Sequence, residues 1–275
     1  MSKEKNISPR QKITALIPAF NEEGNIRACL ESVRWADEIF VVDSFSTDAT
    51  PAIAREFGAR VIQHEYVNSA TQKNWAIPQA SHPWILIVDA DERVTPGLRD
   101  EILHLLETDG GGFDGFRIYR INHFLGKRIH HCGWNRDDVL RLFRRDKGRY
   151  QDREVHADII LDGRARHLDH KLLHFTFTSF DQYLVKMNRY ALWAAGDRAR
   201  TTPCVRWYHL TLRPAFRFFK QYILRLGILD GLEGLILCCL SAYSVFLKYA
   251  RLHERHLREK SEGDSRKTSN MASKS

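Results

Sequence analysis

The sequence predicts an α/β protein: a Rossmann-like mixed sheet, an antiparallel addition to it, and a C-terminal helical extension. Three observations carry that expectation. Apolar, β-rich runs alternate with helical patterns across residues 13–110, as in a sheet assembled from right-handed crossovers. After Asp114 the texture changes to runs such as GFRIYRI and VLRLFRR, whose apolar and basic residues alternate with the period of a half-buried strand. From residue 179 onward the pattern is helical. A chain of 275 residues that is 43% hydrophobic and 28% charged has room for a sizeable core, in one large domain or two small ones.

The elements follow in order. Residues 1–12 are a charged extension with no apolar stretch resembling a signal peptide, so no export is expected. Residues 13–20 read as a strand, and 25–35 as a helix with Ile26, Leu30 and Val33 on one face. Residues 39–42 are the next strand. Ser46, Thr47 and Asp48 are good helix caps, Pro51 suits a first turn and Gly58 a helix end, after which 60–66 reads as a strand and 70–80 as a helix. The continuous apolar run 84–88 fits a strand covered on both faces. Thr95 and Pro96 open a helix that closes near Gly110 to Gly112. Residues 116–168 read as the antiparallel addition, with turns at 146–148 and 162–163. Helices are expected over 180–200, 214–226 and 232–253, and the polar stretch 254–275 is expected to be a disordered tail. The domain expected from this pattern covers 13–178, in halves 13–115 and 116–178, followed by a helical region over 179–253.

Composition narrows the chemistry. Five cysteines with no Cys-x-x-Cys fit neither a disulfide framework nor a thiolate zinc site, which points to a reducing compartment. The net charge of +8 hides a split: residues 1–115 hold 11 Lys/Arg against 18 Asp/Glu, a net of −7, whereas 116–275 hold 31 against 16, a net of +15. An acidic first half and a basic second half imply a donor- or metal-holding part and a part facing something anionic. Phosphate, nucleic acid and membrane headgroups all meet that description.

Three apolar strands run directly into polar groups: Phe20 into Asn21 and Glu22, Val42 into Asp43, and Val88 into Asp89, Ala90, Asp91 and Glu92. In an open α/β sheet the ligand crevice lies outside the carboxyl ends of the strands. Carboxylates gathered there repel one another unless a cation or ligand donors satisfy them. Mg²⁺ or Mn²⁺ suits the task, because such ions are held by one or two carboxylates plus substrate phosphates. Asp91 is the candidate metal ligand, and Asp89 accepts from a ribose hydroxyl or reaches the metal through water. The plain alternative makes the pair a turn and a helix cap. No glycine-rich dinucleotide fingerprint and no P-loop occurs, so carboxylates and metal would hold any nucleotide.

IPAFNEE at 17–23, VVDSFSTDAT at 41–50 and ILIVDADE at 85–92 together resemble, in order and spacing, the amino-terminal motifs of the family 2 inverting glycosyltransferases of GT-A fold. TQKNWA at 71–76, Gly133-Trp134, LRLFRR at 140–145, EVH at 154–156 and RLGILDGLEG at 225–234 extend the likeness to about residue 253. They resemble the bacterial enzymes that add a β1,4-linked glucose to the lipopolysaccharide inner core. The resemblance implies a nucleoside-diphosphate sugar donor, UDP-glucose being favoured, and makes 13–115 the donor half and 116–178 the acceptor half. It implies Pro18, Glu22 and Asp43 around the base, Asp89 near the ribose, Asp91 on Mg²⁺ or Mn²⁺, and Lys73 on the diphosphate as a point charge.

Inversion needs a base that takes the acceptor hydroxyl's proton. Related enzymes commonly carry Val-His-Glu where this chain has Val155-His156-Ala157. Glu154, His156 and Asp158 would share one strand face; Glu154 is the first choice, with Asp158 and the pair Asp137 and Asp138 as rivals. Trp134, Arg141 and Arg144 are candidate acceptor or phosphate contacts, against the plainer reading of a core tryptophan and a solvated strand face. Basic and aromatic residues interleaved over 206–225, beside an uncharged run at 234–247 too short to span a bilayer, fit a chain lying on the anionic inner leaflet. The expected protein is thus cytoplasmic, peripheral to the membrane, and acts on an anionic glycolipid such as lipopolysaccharide core; polyprenyl phosphate or protein are other acceptors. A nucleic-acid binder would leave the acidic strand ends unexplained, and a catalytically silent nucleotide-sugar binder would explain the missing Glu after Val155-His156.

Overall fold

A computed structural model describes residues 10–135, 137–151, 158–177, 179–199 and 201–272. In chain order the elements are β1 (Ile13–Ala19), α1 (Glu23–Ser32), β2 (Glu38–Asp43), α2 (Thr50–Glu56), β3 (Arg60–Gln63), α3 (Ser69–Ala76), β4 (Trp84–Ile87), β5 (Glu92–Val94) and α4 (Pro96–Glu107). There follow β6 (Gly115–Phe124), β7 (Lys127–Arg128), β8 (Asp138–Arg144), β9 (Gly148–Tyr150), β10 (Ile159–Leu161), β11 (Ala165–His167) and β12 (Leu172–Phe177). The helices α5 (Phe180–Ala199), α6 (Trp207–Leu210), α7 (Leu212–Phe219) and α8 (Gly231–Ala272) complete the chain. Contacts divide it into two compact units, one of residues 1–123 with 135–176 and one of 124–134 with 177–275.

The first unit is built on a sheet of order β3-β2-β1-β4-β8-β6-β12-β5, with β11 beside β6. β1, β2, β3 and β4 run parallel, while β8 is antiparallel to both β4 and β6. This is the mixed α/β sheet with an antiparallel addition that the sequence predicts. Side chains alternate across it. Ile13, Ala15, Ile17, Val41, Trp84 and Leu86 enter one core with Ile26 and Leu30 of α1 and Leu98 and Ile102 of α4. Leu16, Phe40, Val42, Ile85 and Ile87 enter the other, with Ala70 and Ala76 of α3. Both faces are therefore covered, which is why the 84–88 run is apolar throughout.

Local differences from the sequence pattern have physical causes. β5 was not foreseen, because three residues are too few to show a period; it pairs with β12 through Val94 and Leu172. The N-cap position of α2 is Ala49, but Asp48 Oδ1 accepts from Thr50 N–H, the first amide of the helix, at 2.9 Å. The same segment binds the chain after β1: Asn21 N–H donates to Ser46 Oγ at 2.9 Å and Glu23 N–H to Asp48 Oδ2 at 3.0 Å.

The second unit contains the helices and the segment 124–134. That segment was assigned on sequence to the sheet domain, but Phe124, Ile129 and Cys132 are apolar and pack with Tyr183, Met187, Leu237 and Cys238. The helix expected over 214–226 is α7 followed by a π-type turn at Lys220–Leu224. α8 runs to Ala272 where a disordered tail is expected beyond 253; Glu254 pairs with Arg251 and Arg258, and Arg255 with Glu259, at helical spacing, which supports a polar helix. The uncharged run 234–247 is not wholly free: Leu237, Cys238 and Leu240 are buried in the unit's core. Residues 227–261 are long and apolar enough, by length and composition, to cross a membrane, with 28% of the apolar window buried.

Candidate functional site

The registers of the parallel strands gather the sequence-predicted carboxylates at one edge. Asp43 pairs with Ala19 and Val42 with Pro18 across β1 and β2, and Leu16 pairs with Ile87 across β1 and β4. Asp89, two residues beyond Ile87, is therefore level with Pro18, and Asp43 lies one step further. Glu22 follows in the loop after β1, where Asn25 Nδ2 donates to its Oε2 at 2.9 Å. The tight loop needs Asn21 at φ 52° and Phe45 at φ 59°, a region that costs an ordinary side chain energy and tends to persist where function requires it.

Asp43 is completely buried. Its Oδ2 accepts from Ser46 N–H at 3.1 Å and Gln63 Nε2 at 3.2 Å, but Oδ1 has no hydrogen-bond partner among the described residues. A buried carboxylate oxygen without a donor is costly, and a ligand N–H would satisfy it.

Asp89 anchors a row of alternating charges. Lys73 Nζ of α3 donates to its Oδ1 at 3.0 Å and sits 5.2 Å from the centroid of the Tyr150 ring. Arg141 Nη2 of β8 donates to Asp89 Oδ2 and, at 2.8 Å, to Glu92 Oε1. Arg120 Nη1 donates to the same Glu92 oxygen at 3.2 Å and its Nη2 to Asp137 Oδ1 at 2.7 Å. Asn122 Nδ2 joins Asp137 at 2.9 Å, Asn122 Oδ1 lies 2.6 Å from His174 Nδ1, and His174 Nε2 lies 3.6 Å from Asp91 Oδ2. The row thus connects Lys73 to Asp91 through side chains of β5, β6, β8 and β12 and of the loops after β4 and before β8.

Burial alone would raise the Asp89 carboxyl, but Arg141 and Lys73 hold it well below the usual carboxylate range. Burial would likewise lower Lys73 and Arg141; Asp89 raises the first, and Asp89 with Glu92 raises the second. Asp89 is therefore a fixed anion with its orientation set from two sides.

This geometry changes the role read for several basic residues. Lys73 is buried against Asp89. Arg141, at 4% exposure, is engaged by two carboxylates, the buried Glu92 and the half-buried Asp89. Arg144 lies at the opposite edge, because β8 runs antiparallel to β4 and pairs Arg144 with Trp84 at the start of that strand. There it donates to Asp109 Oδ2 at 2.6 Å and covers the Trp84 ring at 4.9 Å. Trp134 belongs to the second unit, edge-on to Phe124 with centroids 6.5 Å apart. The positive charge of the sheet strands is largely neutralised, since Arg117, Arg120, Arg141 and Arg144 each pair with Asp or Glu.

Of the candidate bases, Glu154 lies outside the described residues, as does His156. Asp158 is exposed, and its carbonyl accepts from Gln151 N–H at 2.9 Å. Asp137 is held by Arg120 and Asn122, and Asp138 by Arg117 and His167. In both, burial raises the carboxyl but the arginine lowers it further, the wrong direction for a base working near neutrality.

The residues also bear on a divalent ion. Among the described residues no group of three His, Cys, Asp or Glu side chains could enclose one. Asp91 with the neighbouring His174, 3.6 Å apart, supplies one oxygen and one nitrogen donor. Such a half-set fits an ion whose other positions are filled by water and phosphate oxygens. Sequence reasoning placed Glu92 among the strand-end acids without a role, and did not assign Asn122 or His174 to the site; both lie on strands far along the chain and are brought in by pairing.

Comparison with known proteins finds sequence relatives over most of the chain. The sequence model described as glycosyl transferase family 2 covers residues 14–163. The lipopolysaccharide core biosynthesis glycosyltransferase LpsC of Rhizobium meliloti (strain 1021) is 32% identical over 261 residues, 90% of this chain and 94% of the relative. An uncharacterized glycosyltransferase of Rickettsia felis is 28% identical over 91% of this chain and 92% of its own length. Among solved structures, TarS 1-349 of S. aureus aligns over 90% of this chain and 92% of that one, at 17% identity and a TM-score of 0.44.

Proposed function

The chain belongs to glycosyl transferase family 2 and is a glycosyltransferase; from that premise we propose that it transfers a hexose, with inversion, from a nucleoside-diphosphate sugar to an anionic glycolipid of the lipopolysaccharide core. UDP-glucose is the favoured donor. The observation that carries the reading is the pair of carboxylates at the ends of β2 and β4, the two strands that flank β1: Asp43, with one buried oxygen lacking a donor, and Asp89, locked as an anion by Lys73 and Arg141. The first suits an N–H of the nucleobase and the second a ribose hydroxyl.

In this reading Pro18 and Glu22 flank the base, and Asp91, with His174 beside it, holds Mg²⁺ or Mn²⁺. Such an ion supplies charge neutralisation for the departing diphosphate. Lys73 and Arg141 act by orienting Asp89, so their effect on the donor passes through that carboxylate. Glu154 is the proposed base, taking the proton of the acceptor hydroxyl as that oxygen attacks the anomeric carbon, with Asp158 next in line. The preference for glucose rests on the motif resemblance of residues 71–76, 140–145 and 225–234.

The proposed place of action is the cytoplasmic face of the membrane. Its support is the exposed set Trp207, Phe216, Phe219, Leu224, Leu229 and Leu232, among Arg206, Arg213, Arg217 and Arg225; aromatic and basic residues together favour an anionic interface.

Screening a panel of nucleotide sugars for divalent-ion-dependent hydrolysis or transfer tests the donor reading: one sugar nucleotide should stand out, and indifference to all of them would sink it. Glu154→Gln should leave donor binding intact and slow transfer by about 100-fold or more. A normal rate would move the base to Asp158.

A further inference from the structure

In the second unit, Arg198 of α5, Arg213 and Arg217 of α7, Lys220, and Lys248 of α8 line a cavity of about 360 Å³ whose wall includes Phe216. No acidic side chain lines it. Among the described residues none of these five cations forms an ion pair; Arg213 Nη1 donates to Tyr249 Oη at 2.7 Å and Arg217 Nε to Ser241 Oγ at 3.0 Å, both neutral oxygens. The arginines of the sheet behave otherwise, for each of Arg117, Arg120, Arg141 and Arg144 meets a carboxylate.

Five like charges around one cavity repel, and a local anion is the physical remedy. Burial pushes the Lys248 ammonium below its ordinary range; Tyr249 opposes that, and Arg198, Arg213 and Arg217 add to it. Arginine binds phosphate bidentately, and basic pockets between helices suit phospholipid headgroups. The surroundings are apolar as well as basic. No residue of α7 is buried, and Leu212, Phe216 and Phe219 are exposed beside the cavity.

We propose that this cavity is a phosphate-binding site for an amphipathic anion, the phosphate held by Arg198, Arg213, Arg217, Lys220 and Lys248 and the apolar chain lying along Leu212 and Phe216. The site deepens the membrane-surface reading given above and is independent of the donor chemistry. The phosphate belongs either to a lipid headgroup or to a soluble ester, and the two sources separate experimentally.

The test uses the full chain, Arg217→Gln/Lys248→Gln, and a control of equal charge change, Arg255→Gln/Arg258→Gln, at matched ionic strength. Binding is measured to phosphatidylcholine vesicles with and without phosphatidylglycerol, to soluble dihexanoyl phosphatidylglycerol, and to inorganic phosphate. The wild type is expected to prefer the anionic vesicles and the cavity variant to bind them about 10-fold or more weakly, while the control changes little. Lys220→Gln, on a half-buried turn, gives a milder loss and guards against misfolding of the double variant, which thermal melting checks. If no vesicle is bound, the membrane reading fails; the cavity stands if soluble lipid or phosphate still binds and loses affinity in the variant. Loss for phosphate alone makes the ligand a soluble ester. Equal losses in cavity variant and control, or none in any arm, would overturn the proposal.

Discussion

At the scale of single residues, the central feature is the enclosure of Asp89 between Lys73 and Arg141. Arg141→Met removes the cation shared by Asp89 and Glu92, leaving Asp89 to Lys73 and the buried Glu92 to Arg120. A loss of about 1–3 kcal/mol is expected, read by urea unfolding at neutral pH. The pH dependence has a definite sign. Asp89 is held below its unfolded range, so its contribution is present above about pH 4 and is lost as the pH falls through the lowered native value. The decline in unfolding free energy between about pH 5 and pH 2 should therefore be smaller in Arg141→Met than in the wild type. An equal or steeper decline would remove Arg141 as the cause. Arg144→Gln is the contrasting case: its pair with Asp109 is partly exposed and lies at the far edge of the sheet. It should leave the transfer rate within about twofold, measured on the same acceptor. The acidic members of the site were legible in the sequence because they end apolar runs. The partners of Arg141 were not, since nothing local to LRLFRR specifies which carboxylates β8 will meet.

At the scale of elements, the parallel strands and their helices could be read from periodicity, because both faces of β1, β2 and β4 are buried and their boundaries are abrupt. β5, β11 and the division of the helix around 214–226 could not, being set by pairing and packing with distant segments. The RLGILDGLEG run illustrates the difference. On sequence it contributes only to a resemblance; in the structure it is a turn in which Asp230 accepts from His130 N–H at 3.0 Å and His131 N–H at 2.9 Å. Two of its three glycines, Gly227 and Gly234, allow a close approach: a Cβ on Gly234 would clash with the Gly227 carbonyl oxygen. Gly234→Ala should cost about 1–3 kcal/mol, with a lowered melting temperature as the readout; unchanged stability would mean that the turn and α8 separate freely.

At the scale of the whole molecule, the charge split of the sequence now has a physical content. The acidic half includes Glu22, Asp43, Asp89 and Asp91, and four of the sheet's arginines in the basic half are used to neutralise carboxylates. What remains unpaired in the second unit includes the five cations around the cavity, so the surplus positive charge that composition announced is concentrated in the helices. Composition could announce the surplus but could not locate it, because pairing is a property of the folded sheet. The strand-end carboxylates are proposed to perform metal-dependent sugar transfer. The most direct test is to measure transfer from the preferred nucleotide sugar by the wild type and by Asp91→Ala, with and without Mg²⁺ or Mn²⁺, alongside melting curves. The expected result is transfer that requires the ion and falls by about 100-fold or more in a folded Asp91→Ala protein; full turnover by that variant, or by the wild type after chelation, would contradict it.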